Sequence, residues 1–415
     1  MQQTLMGVVG VVTVLLLALA LSENRRAIRP RTVLGALAIQ ASLALLVLYI
    51  PFGQQLLLAM TDGVQAVIDS AQAGMSFLFG GLVSDTMFEL FDGGGFVFAL
   101  RVLPIVVFFS SLIAVLYYIG VMRWVINLLG GALHKLLGTS RTESLSAAAN
   151  IFVGQTEAPI VVRPFIAGMT RSELFAVMVG GLASVAGSVL GGYAAMGIPL
   201  EYLLAASFMA APGGLLMAKM IVPETETRTQ SVEEAIGADT TEKPINVIEA
   251  AAVGASSGVQ LAINIGGMLL AFIALIALAN GMLGWVGGWF GHGDITLEML
   301  LGYLFSPLAF LIGVPWEEAV VAGSFIGEKV ILNEFVAFAD LASQPEALSP
   351  HAMAIVVFAL CGFANLSSIA ILMGGLGIMA PNRRSDIARL GIKAVAAGTL
   401  SNLMSAALAG LFLSL

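Results

Sequence analysis

The sequence predicts an all-α integral membrane protein: eight transmembrane helices, an interfacial helix and two opposed re-entrant hairpins, arranged as an inverted repeat. Three observations carry this expectation. Of the 415 residues, 59% are hydrophobic and only 11% are charged, whereas a soluble domain averages about 25% charged. The apolar residues fall in runs of the roughly 20 that a bilayer span requires. The polar exceptions gather in two segments, about residues 142–169 and 299–340, each interrupted by carboxylates, Gly and Pro.

A water-soluble fold and a separate soluble domain are both excluded. The 47 glycines let helices approach closely and break within the membrane. Cys361 is the single cysteine and lies in an apolar run, so it reads as a packing residue and no intrachain disulfide forms. The three histidines offer no metal site.

The first run, Leu5 to Leu21, is followed and not preceded by basic residues (Arg25, Arg26, Arg29, Arg31). That is the reverse of a signal peptide, so a retained helix is expected. The second span runs from Thr32 to Phe52. Gln54 to Val83 mixes apolar residues with Asp62, Asp69 and several Gln and Gly, the pattern of an interfacial helix. Phe96 to Leu137 forms a tilted span closed by Arg123, His134, Lys135 and Arg141. Further spans follow at Glu173 to Ile198, Tyr202 to Ile221, Ile248 to Leu283, Ala352 to Met379 and Gly391 to Leu415. Basic residues mark cytoplasmic connections. The cluster at residues 25–31 and the one formed by Arg383, Arg384, Arg389 and Lys393 therefore put both termini in the periplasm. The polar stretch Pro223 to Lys243 reads as a solvated cytoplasmic loop.

The two broken segments correspond. Gly154-Gln155-Thr156-Glu157-Ala158-Pro159 parallels Gly313-Val314-Pro315-Trp316-Glu317-Glu318-Ala319, and each segment is followed by a Gly-rich span and then one further span. An odd number of crossings separates the two units, so they are inverted. Discontinuous segments in matching places of two halves point to a transporter binding site at mid-membrane. The chain divides accordingly: residues 1–141 as scaffold spans and interfacial helix, 142–222 as the first inverted unit, 223–298 as cytoplasmic loop and sixth scaffold span, and 299–415 as the second inverted unit.

A charge near the centre of a membrane helix costs on the order of 2.5 to 3.5 kcal/mol by insertion scales. Glu157, Glu249, Glu317, Glu318, Glu328 and Glu334 all lie within or beside apolar segments. A structural role is open to several of them, notably Glu328, which could pair with Lys329. Glu157 and Glu334 instead stand among amides and hydroxyls: Asn150, Gln155 and Thr156 beside the first, Asn333 beside the second. Such groups suit a polyhydroxylated solute, because carboxylates accept and amides both donate and accept. Asn365 and Ser368, three apart on one helical face, make a second polar cluster, with Phe363 available to pack on a flat ring. Nothing positively charged joins them, so an uncharged heterocycle bearing hydroxyls fits better than a phosphate. Asn150 and Ser184 are candidate sodium ligands, although a membrane serine more often bonds the preceding turn.

GQTEAP (154–159), GVPWEEA (313–319), LNEFVAF (332–338) and CGFANLSSIAILMGGLG (361–377) together resemble the signatures of the concentrative nucleoside transporter family, in order and spacing over the whole chain. The resemblance implies a homotrimer in which each protomer moves its own site by an elevator-like alternating access. It implies that Gln155, Thr156 and Glu157 face the nucleobase, that Val189, Leu261 and Phe363 pack on it, and that Glu334, Asn365 and Ser368 hold the ribose. It further implies a co-transported sodium ion bound by Asn150 and Ser184 and by carbonyls of Asn150, Val153, Ser184 and Val185. The asparagine pattern favours sodium over a proton, and the short chain looks like a bacterial member in the cell inner membrane, surrounded by lipid. The alternative is a proton-coupled nucleoside symporter. An enzyme is disfavoured, since no nucleophile with a base and no H-E-x-x-H spacing occurs, and no nucleic-acid partner is expected.

Overall fold

The computed structural model describes residues 2–84, 86–91, 95–226 and 244–415, and among them every regular element is helical. Most of the polar stretch expected as a solvated loop, residues 227–243, lies outside the described residues.

Helices α1 (Gln2–Ala20), α2 (Pro30–Leu48) and α3 (Pro51–Phe79) open the chain. The last two begin on prolines, whose fixed φ and missing N–H suit the first helical position. The expected span from Phe96 to Leu137 is divided into α4 (Leu103–Tyr118) and α5 (Val121–Leu137). Gly120, at φ 89°, makes that corner in a left-handed conformation that few other residues adopt.

Next come α6 (Arg141–Ala149), α7 (Arg171–Ala183), α8 (Gly187–Ala195) and α9 (Leu200–Ile221). Both α6 and α7 start with a capping box of S/T-x-x-E form: Ser140 with Glu143, and Thr170 with Glu173. The 42-residue α10 (Val247–Gly288) precedes α11 (Leu297–Leu311), α12 (Ala319–Ile331) and α13 (Glu334–Ser343). The chain closes with α14 (Pro350–Leu360), α15 (Ser368–Met379) and α16 (Arg384–Leu413).

Eight helical stretches are long and apolar enough to cross a membrane. Seven coincide with expected spans. The eighth is α3, whose length and apolarity meet the same measure although its interspersed Asp and Gln suggested an interfacial position. Conversely, the expected span from Ala352 to Met379 is two short helices, α14 and α15, separated by an irregular stretch at 361–367. Residues 184–186 break α7 from α8 in the same way.

Helix α16 occupies the centre and packs against α1, α2, α7, α9 and α14. Helix α10 runs along α4, with Gly254 and Gly258 against Val107, Ser110 and Ser111. Its other face exposes Ile263, Leu270, Leu278 and Met282, apolar surface of the kind that a membrane or another subunit covers.

Buried charges in this core have partners of opposite sign where the chain can bring them together. Lys219 pairs with Glu143 at 2.5 Å and donates to Ser172 Oγ at 2.9 Å, all three buried. Glu328 and Lys329, by contrast, do not pair. Successive residues of a helix point about 100° apart, and the Lys329 ammonium turns to Asn402 on α16 (2.8 Å).

Outside the spans, Glu23 accepts from Arg171 (2.9 Å) and Lys393 (2.6 Å), tying the turn after α1 to α7 and α16. The Arg171 guanidinium first, and Lys393 with it, hold the Glu23 carboxyl below its usual value. A carboxyl depressed on folding adds stability above its unfolded pKa and loses it as pH falls through the folded one. Glu23→Gln should therefore cost under about 1 kcal/mol of stability at pH 7 for so exposed a pair, read as a slightly lower unfolding midpoint, and make no difference well below pH 4. Differential scanning fluorimetry in low salt across that range checks it.

Candidate functional site

Two short irregular backbones meet in the middle of the molecule. The first is residues 150–157, after α6; the second spans the break between α14 and α15. Gly187 N–H, just past the α7–α8 break, donates to Phe152 O (2.9 Å), and Leu366 N–H, inside the α14–α15 break, donates to Val330 O on α12 (3.2 Å). Each broken helix is thus stitched to the broken segment that precedes it. Phe363 N–H donates to Ser184 O (3.1 Å), which joins the two breaks to each other.

A cavity opens beside this junction. Gln155, Thr156, Glu157, Val189, Leu261, Glu334, Phe363, Asn365 and Ser368 all line it, drawn from residues more than 200 positions apart. Every side chain predicted to touch a solute therefore lies on one wall or another. Ile265, Met268 and Leu269 of α10 add an apolar side, and Asn333, Phe335 and Ser367 also line it. No Lys, Arg or His is among the described residues that line it.

Hydrogen bonds fix the polar floor. Glu334 begins α13, where Asn333 caps the helix by accepting from Val336 N–H (3.0 Å). Its carboxylate accepts from Tyr193 Oη (3.2 Å) and from Asn365 Nδ2 (3.1 Å). Asn365 in turn accepts at Oδ1 from Ser367 Oγ (2.7 Å) and Ser368 N–H (2.9 Å), so its amide is held with nitrogen toward Glu334. Gln155 Nε2 donates to Ser368 Oγ (3.3 Å), carrying the chain of contacts to the 150–157 segment. Glu334, Asn365 and Ser368 are all buried, whereas Glu157 is exposed.

The predicted ion ligands are not among the residues that line the cavity. Asn150 is buried, with Nδ2 donating to Ser146 O (2.9 Å) and Oδ1 without a hydrogen-bond partner. Gln155 Oε1 is likewise buried and unpartnered. Such orphan acceptors call for an explanation, and a cation or a donor on a ligand supplies one. Val153, Ser184 and Val185 are buried as well, and Gly180, one helical turn before Ser184, lies against the Asn150 amide. The Ser184 hydroxyl bonds Gly180 O in its own helix (3.1 Å), as an isolated membrane serine commonly does, while its carbonyl meets Phe363. Among the described residues no His, Cys, Asp and Glu cluster suited to a metal occurs.

Not every acid in the broken segments reaches the cavity. Glu318 accepts from Ser349 N–H (2.9 Å) and Ser349 Oγ (3.0 Å), and Glu317 lies near Gln3 and Phe310. The GVPWEEA motif therefore serves a different part of the molecule, and Glu334 is the acid of the second half that faces the cavity with Glu157. Sequence reading missed Tyr193 and Asn402, and gave Lys329 a partner other than the one it has. A lone tyrosine in the apolar run of α8 was the available signal for Tyr193, since a buried hydroxyl needs a partner.

Comparison with known proteins gives a consistent picture. Residues 202–410 match the family model described as the C-terminus of Na+ dependent nucleoside transporters, residues 9–82 the corresponding N-terminus, and residues 99–200 a nucleoside recognition Gate model. The nucleoside permease NupC of Helicobacter pylori is 52% identical over 99% of this chain and 98% of its own. The solved structure of CNTnw in an inward-facing substrate-bound state is 61% identical, with a TM-score of 0.95 over 99% of this chain and 98% of that one. A variant of CNTnw in an outward-facing state matches with a TM-score of 0.97 and 62% identity over 100% and 99%.

Proposed function

The chain belongs to the concentrative nucleoside transporter family, and from that premise we propose that it is a sodium-coupled symporter that imports nucleosides such as uridine across the cell inner membrane. One observation carries the reading of substrate: a single cavity gathers Gln155, Thr156, Glu157, Glu334, Asn365 and Ser368 onto apolar walls with no basic residue. Neutral hydroxyls and a heterocycle answer those groups; a phosphate would find two carboxylates and no cation.

In this reading Glu334, Asn365 and Ser368 hold the ribose hydroxyls, with the carboxylate accepting from two of them. Gln155, Thr156 and Glu157 face the base, and Val189, Leu261 and Phe363 pack on its ring. Sodium, the cargo ion, takes oxygens of Asn150, Val153, Ser184 and Val185. Asn150 and Gln155 belong to one irregular segment, so an ion that orders residues 150–157 also sets the base-binding side chains. That is a physical route for coupling. The orphan Oδ1 of Asn150 supports it.

Residues 142–222 and 299–415 are the two inverted units of a mobile transport domain, each a re-entrant hairpin followed by a broken span and a further span. Residues 1–141 and 223–298 are the scaffold, assembled as a homotrimer in lipid with both termini in the periplasm. The units carry the site across the membrane in an elevator-like motion. The Phe363 N–H to Ser184 O bond, which joins the two breaks, supports rigid movement of the two units together.

Calorimetric titration of uridine into the purified protein tests the coupling: uridine should bind at least tenfold more tightly in sodium than in potassium. Equal affinity in both, with binding that follows pH instead, would favour proton coupling. Tyr193→Phe, which removes one donor from Glu334, should weaken uridine binding about fivefold, the value of one hydrogen bond of about 1 kcal/mol. The same titration reads that change, and an unaltered affinity would remove Tyr193 from the site.

A further inference from the structure

Both helix breaks are satisfied by one buried amide. A helix that stops leaves carbonyl oxygens without the N–H four residues on. At the α7–α8 break the N–H that would serve Ala183 belongs to Gly187, and it goes to Phe152 O. Inside a membrane such carbonyls must find partners within the protein. Asn402, midway along α16 and buried, supplies both: Nδ2 donates to Ala183 O (2.7 Å) and to Cys361 O (2.9 Å). Gly362 lies flat against this amide, and a Cβ there would overlap it.

The orientation of the amide is dictated from a third helix. Lys329, on α12 and 1% exposed, donates its ammonium to Asn402 Oδ1 (2.8 Å). An ammonium only donates and a carboxamide has one acceptor oxygen, so the amide nitrogen must face the two breaks. Lys329 makes no ion pair with a described carboxylate. The lysine amino group is thus kept in the core against an amide oxygen, a polar group held where burial is costly. One residue beyond Ala183 begin Ser184 and Val185 of the proposed ion set; two residues beyond Cys361 stands Phe363, and then Asn365, of the proposed nucleoside set.

We infer that Lys329 and Asn402 are positioning residues that couple the sodium site to the nucleoside site. The lysine-oriented amide holds the two breaks in one register, so that an ion ordering the first break pre-forms the second. The pair touches neither ligand. This inference rests on the sodium and nucleoside assignments proposed above.

The test is uridine affinity by calorimetry, in potassium and in saturating sodium, for wild type, Lys329→Met and Asn402→Leu. The expected result is that the ratio of the two dissociation constants, large in wild type, falls at least tenfold in both variants. Lys329→Met replaces a buried amino group by an apolar chain of similar length and is expected to fold, so it decides the matter alone if Asn402→Leu does not accumulate. Asn402→Asp, which keeps the lysine contact and loses both donors, should behave like Asn402→Leu. A merely structural role would lower yield or unfolding temperature and leave the ratio at its wild-type value, which would overturn the inference. Wild-type protein that binds uridine equally in sodium and potassium would instead sink the functional reading. The positioning role is then read from uridine affinity alone, expected to weaken at least fivefold in Lys329→Met and overturned if unchanged.

Discussion

Glu334→Gln should raise the uridine concentration for half-maximal uptake roughly 10- to 100-fold, the worth of hydrogen bonds to a charged acceptor in a buried site. The variant keeps the shape of the side chain and the Asn333 cap of α13, so the helix should form as before. What changes is chemistry. The carboxylate is acceptor-only, and it already receives Tyr193 Oη and Asn365 Nδ2; remaining lone pairs face the cavity for ribose hydroxyls. A glutamine presents one acceptor oxygen and an NH2 that meets donors head on, so one protein contact and one ligand contact are lost together. The sodium concentration for half-maximal uptake should move much less than the uridine one. Radiotracer uptake at varied uridine and sodium measures both, and an unchanged uridine dependence would show that Glu334 does not hold the substrate.

Asn150→Ala should shift the sodium concentration for half-maximal uptake upward by about tenfold or more, again the scale of a contact to a charge. Asn150 is 1% exposed, and its Oδ1 has no partner in the protein, so deleting it removes an ion contact without breaking a hydrogen bond at that oxygen. The Nδ2 bond to Ser146 O is lost as well, a structural cost that would appear as a lower unfolding temperature and not as altered ion dependence. Uptake at saturating sodium should largely recover. If the sodium dependence is unaltered while stability falls, the amide is a helix-end cap and the ion lies elsewhere.

The parts of this protein legible in sequence are those that chemistry writes locally. Long apolar runs give spans. Polar residues that have no place in a membrane mark the cavity, which is why Gln155, Glu157, Glu334, Asn365 and Ser368 could be picked out before any contact was visible. What hydropathy does not register is backbone continuity. The stretch from Ala352 to Met379 is apolar apart from Asn365, Ser367 and Ser368, yet it stops at Leu360 and restarts at Ser368 because Asn402, Ser184 and Val330 offer hydrogen bonds from elsewhere.

Partners at long range were the other blind spot. Tyr193 meets Glu334 across 141 positions, and Asn402 meets Ala183 across 219; neither end carries a local pattern that announces the other. The adjacency of Glu328 and Lys329 suggested a pair that helix geometry forbids. The GVPWEEA acids looked like counterparts of Glu157 by position, but Glu318 faces Ser349 and not the cavity.

The most direct measurement is radiolabelled uridine uptake into proteoliposomes containing the purified protein, under an inward sodium gradient and under an equal potassium gradient at fixed pH. Accumulation above equilibrium with sodium, and only equilibration with potassium, is the predicted result. Uptake indifferent to sodium but driven by a proton gradient would contradict the proposed ion, and no uridine uptake under any gradient would contradict the proposed substrate.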